Sequence, residues 1–128
     1  MQRQTSLLLY ITAHQHTKFE WGVNDCCTFS CNWFKEITGK NLLPLVGGDY
    51  NDEKGAMLLL EKFGRDNASA LFGEEIHPSL ATPGDIVEAD MEYGETLGIC
   101  LGLDSAFIGI KELITVRTLE CKRAWRVN

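Results

Sequence analysis

The sequence predicts an α+β domain: N-terminal helices followed by an antiparallel sheet of about four or five strands. Three observations predict it. Apolar residues recur at helical spacing only in the first half of the chain. Pro83-Gly84 then breaks that period. Beyond it, Asp85–Ala89, Leu97–Leu101, Ala106–Ile110 and Leu113–Leu119 read as strands separated by Gly, Asp and Glu-rich turns, and Arg123–Val127 offers a last one.

Taken in order, Leu7, Leu8, Tyr10, Ile11 and His14 give one apolar face to a first helix over about residues 3–15. A second helix runs from about Asp25 to Thr38, with Phe29, Trp33, Phe34 and Ile37 on its buried side, and stops at Gly39. Asp25 suits the N-cap, its carboxylate accepting from first-turn N–H groups. Pro44–Gly48 reads as a loop. Asn51-Asp52 offers a cap for a third helix through Met57, Leu58, Leu60 and Phe63, closed by Gly64. A short helical piece around Ala68–Phe72 follows.

The 128 residues fit a single domain, 1–128, able to bury a core without staples. A formal charge of −6 and the absence of a Lys/Arg stripe argue against a nucleic-acid partner. The one basic knot, Lys122-Arg123 with Arg126, is explained by pairing with the acidic majority as well as by any ligand. Leu7–Ile11 is too short for an export signal or a membrane span. Five cysteines, two of them adjacent, do not form a secreted disulfide framework.

Trp21-Gly22-Val23-Asn24-Asp25-Cys26 is the stretch that points to chemistry. It delivers Cys26 to the first turn of the second helix, where free N–H groups and the helix dipole stabilise a thiolate. The plainer reading is a cysteine buried as a small hydrophobe. Trp21 and Gly22 shape the loop into the helix, which also fits a core tryptophan beside a turn glycine. Metal binding is not indicated: Cys27 and Cys31 share a helix face, but no Cys-x-x-Cys pair exists, and His14 and His16 fall on different faces. No cofactor is expected. Trp125 reads more readily as core than as an interface anchor. Pro83-Gly84-Asp85 reads as a plain turn into a strand.

Trp-Gly-x-x-Asp-Cys at the mouth of a helix, then Pro83-Gly84-Asp85-Ile86-Val87, then Leu97-Gly98-Ile99-Cys100-Leu101-Gly102, resembles the NlpC-type cell-wall peptidases. The resemblance spans nearly the whole chain in order. It implies a papain-like fold, with Cys26 as nucleophile, Trp21, Gly22 and Asp25 around it, and a histidine just before the Leu-Gly-Ile strand. The closing Cys121-Lys122-Arg123-Ala124-Trp125-Arg126-Val127 is similar to a narrower branch encoded among the tail-tip genes of tailed phages and prophages.

Where those peptidases carry histidine, this chain has Thr96. A threonine hydroxyl is no general base near neutral pH, and thiol hydrolysis needs one. His77, just ahead of the sheet, is the substitute base to test. The expectation is therefore a structural or catalytically degenerate phage tail-tip component. It would be carried in the virion after synthesis in the host cytoplasm, and its partners would be hub, tip or distal tail subunits. The alternative is an active thiol peptidase or amidase that uses Cys26 on peptidoglycan peptides during infection.

Overall fold

A computed structural model describes residues 3–16, 19–20, 25–42, 72–91, 94–109 and 111–127, with the backbone alone for Cys26, Cys27 and Gly94. Two helices open the described fold: α1 (Arg3–His14) and α2 (Cys26–Thr38). Six strands follow: β1 (Glu75–Ile76), β2 (Ile86–Met91), β3 (Gly94–Cys100), β4 (Asp104–Ile108), β5 (Leu113–Arg117) and β6 (Arg123–Trp125). They form one antiparallel open sheet in the order β1-β6-β2-β3-β4-β5.

The α+β class is as the sequence predicts, with one strand more than expected. That strand, β1, is two residues long and exists through its pairing with β6, Glu75 opposite Trp125 and Ile76 opposite Ala124. Nothing local encodes it. The predicted third helix, the Pro44–Gly48 loop and most of the 68–72 piece lie outside the described residues.

Both helix ends carry their signals. Gly39 adopts φ +78, the left-handed conformation that glycine reaches without strain, and its N–H donates to the Lys35 carbonyl. The face of α1 is narrower than its sequence suggests. Leu7 is buried and Tyr10 and Ile11 pack against the core, but Leu8 is 67% exposed. With 3.6 residues per turn, Leu8 falls a further 100° round the helix from Leu7 and leaves the contact stripe.

Strand alternation splits the core into two layers. On the helix side, Ile86, Ile99, Ala106, Ile108 and Trp125 pack with Leu7, Phe29, Trp33 and Phe34. On the other side, Val87, Ala89, Cys100, Phe107, Cys121 and Ala124 form a second cluster. Trp125 is fully buried, a core residue. Gly98 lets β4 come close: a Cβ there would stand 2.5 Å from the Ala106 carbonyl oxygen and 2.6 Å from the Phe107 ring. The short 3-10 turns at Pro78–Leu80 and Thr118–Glu120 touch each other.

Pro83-Gly84-Asp85 is far more than a plain turn. The buried Asp85 carboxylate accepts from the Arg3 guanidinium at 2.9 Å, Thr82 N at 2.9 Å, Thr82 Oγ1 at 3.2 Å and Val127 N at 3.1 Å. Arg3 also donates to the carbonyls of Pro83 and Val127. Trp33 Nε1 donates to the Gly84 carbonyl at 2.8 Å. Gly84 has φ +97, and a Cβ there would run into the Arg3 side chain. This junction ties the starts of α1 and β2, the middle of α2 and the end of the chain, and so fixes how α2 lies on the sheet.

The basic knot is largely paired, as expected. Lys122 Nζ lies 3.0 Å from Glu95 and Arg123 2.6 Å from Glu75, while Arg126 donates to the Leu80 carbonyl at 2.8 Å.

Candidate functional site at the start of α2

The opening of α2 is specified by two residues. Asp25 is extended (φ −122, ψ −176) and 1% exposed. Its carboxylate accepts from Thr28 N at 2.9 Å, while Thr28 Oγ1 accepts from Asp25 N at 2.8 Å. This reciprocal capping box satisfies donors on both sides of the boundary. The first helical hydrogen bond then runs from Phe29 N to the Asp25 carbonyl at 2.9 Å. The expected N-cap role of Asp25 is what the structure has, and Cys26 is the first residue of the helix. Amides of a first turn lack intrahelical acceptors and favour negative charge, the setting in which a thiolate or an oxyanion is stabilised.

The last turn of α1 lies against this region. Tyr10 donates its hydroxyl to the Phe29 carbonyl at 2.6 Å, and its ring centroid is 5.5 Å from those of both Phe29 and Trp33. Burial raises the Tyr10 hydroxyl above the ordinary phenol range, with Cys31 and Glu36 adding to the effect, so the group stays a proton donor. His14, one turn on, stacks 4.2 Å from the Tyr10 ring and meets the Phe29 ring edge-on at 5.7 Å. Its Nδ1 is 2.8 Å from the Tyr10 carbonyl oxygen. A carbonyl only accepts, so Nδ1 carries the hydrogen and Nε2 keeps its lone pair.

Other sequence candidates fall elsewhere. Thr96 is 3% exposed on β3, opposite Ala89 of β2. Leu97 and Ile99 are the β3 side chains that join the helix-side cluster, and the two-residue period turns Thr96 to the side of Gly98 and Cys100. His77 is exposed and caps the Pro78–Leu80 turn, its Nδ1 accepting from Ser79 N at 3.1 Å and lying 2.8 Å from Ser79 Oγ. It follows edge strand β1, with β6 and β2 between that strand and β3. Trp21 and Gly22 lie outside the described residues.

Cys31, Cys100 and Cys121 are buried free thiols, Cys31 in the helix-side cluster and the other two across the sheet. Among the described residues no group of three His, Cys, Asp or Glu side chains is placed to hold a metal ion. Among the same residues no helix is long and apolar enough to cross a membrane.

The structure therefore brings Asp25, Tyr10, His14 and Phe29 together at the start of α2, and turns Thr96 to the other side of the sheet. From sequence His14 was read as part of the apolar face of the first helix and as a poor metal ligand. Its signal was the four-residue spacing from Tyr10, which sets both rings on one helix face.

The chain belongs to the family described as a domain of unknown function, DUF6950, whose profile matches residues 1–127. No curated protein matches the chain.

Proposed function

We propose that this member of the DUF6950 family is a papain-like domain of the NlpC cell-wall-peptidase type. It serves as a structural component of a phage or prophage tail tip, within the virion, beside hub, tip or distal tail subunits. The observation that carries the reading is Thr96. The resemblance expects the catalytic histidine there, and the residue is instead a buried hydroxyl paired opposite Ala89. A hydroxyl at that place supplies no base, so the histidine route of those peptidases is lost. A helix beginning at Cys26, packed on β3 and followed by an antiparallel sheet, supports the fold half of the reading.

The test is paired. Purified protein is incubated with peptidoglycan peptides, and tails from the encoding phage or prophage are probed for the chain by mass spectrometry. The reading expects intact peptides and the chain within the tail. Peptide cleavage that disappears in Cys26→Ala would overturn the degenerate role, and a chain absent from assembled tails would overturn the structural one.

A second reading has an observation of its own. The Asp25–Thr28 capping box starts α2 at Cys26, the place from which a thiol attacks an acyl carbon while first-turn amides receive the oxyanion. On this reading the chain is a thiol peptidase or amidase acting on peptidoglycan peptides.

A further inference from the structure

We draw no further inference here: the strongest candidate, the outer edge of strand β5 with its exposed Ile114, Thr115 and Arg117 side chains, is already met at its start by the Gln15 carbonyl, which accepts from Leu113 N at 3.1 Å, and nothing in the structure shows what covers the rest.

Discussion

Asp85 and Asp25 are both buried, and they are held in opposite ways. Asp85 collects its donors from across the chain, with Arg3 and Val127 lying 82 and 42 residues away. The capping bonds of Asp25 come from Thr28, three residues on. One carboxylate knots the tertiary structure; the other fixes locally where a helix begins. The Asp85 carboxylate is saturated with protein donors. The turn that Asp25 starts begins with Cys26, and His14 packs edge-on against Phe29 at its end.

The sharpest way to break this comparison is to truncate both carboxylates. Asp85→Ala strips the part-buried Arg3 of its counter-charge and leaves Val127 N and Thr82 N without their acceptor. Urea titration should show a loss of about 3–5 kcal/mol, the usual effect of breaking a buried charge pair. A loss under about 1 kcal/mol, the level of a surface pair, would mean the junction is not the knot described.

Asp25→Ala should cost less, about 0.5–2 kcal/mol, the usual effect of losing an N-cap, and Asp25→Asn should be close to neutral since asparagine caps as well. The same titrations read both. An Asp25→Asn protein as weak as Asp85→Ala would erase the distinction.

Thiols extend the contrast across the sheet. Burial pushes the Cys121 thiol from its ordinary 9.0 up to about 11; Ser105 hydrogen-bonding opposes the shift, and Cys100 and Glu120 add to it. Above 9.0 the unfolded chain loses that proton while the folded chain retains it. The contribution to stability is therefore fully present below 9.0 and is lost as pH rises through about 11. Denaturant titrations at several alkaline pH values should show stability falling over that window, less steeply in Cys121→Ala. An equal slope in both proteins would contradict the assignment.

The smallest stability effect belongs to His14. Its ring is half-buried at a helix end, so His14→Gln should change stability by no more than about 1 kcal/mol in the same denaturant titrations. A large stability loss would make His14 a packing residue, closer in kind to the Asp85 network.

How much of this was legible in the sequence follows the same division. Asp25 and Gly39 bracket α2 with signals that act within a few residues, and both ends were readable. The sheet after Pro83-Gly84 was readable because turn residues and apolar runs alternate there. β1 was not, since two residues become a strand only through β6. Asp85 was read as a turn residue because its donors lie on segments brought to it by folding. The exposure of Leu8 was missed because an apolar residue beside Leu7 does not reveal which of the two meets the sheet. His14 and Tyr10 were visible on one face, but the ring they meet belongs to another helix. Thr96 was legible as a departure from histidine; that it turns away from the helix side needed the register with Ala89.

The most direct test of the account is site-resolved alkylation of the cysteines in the folded protein near neutral pH. The account predicts that Cys26 is modified while Cys31, Cys100 and Cys121, all buried, stay protected until the chain unfolds. If Cys26 reacts only together with those three, the start of α2 is a closed structural corner like the Asp85 junction, and the claim that the two differ is wrong.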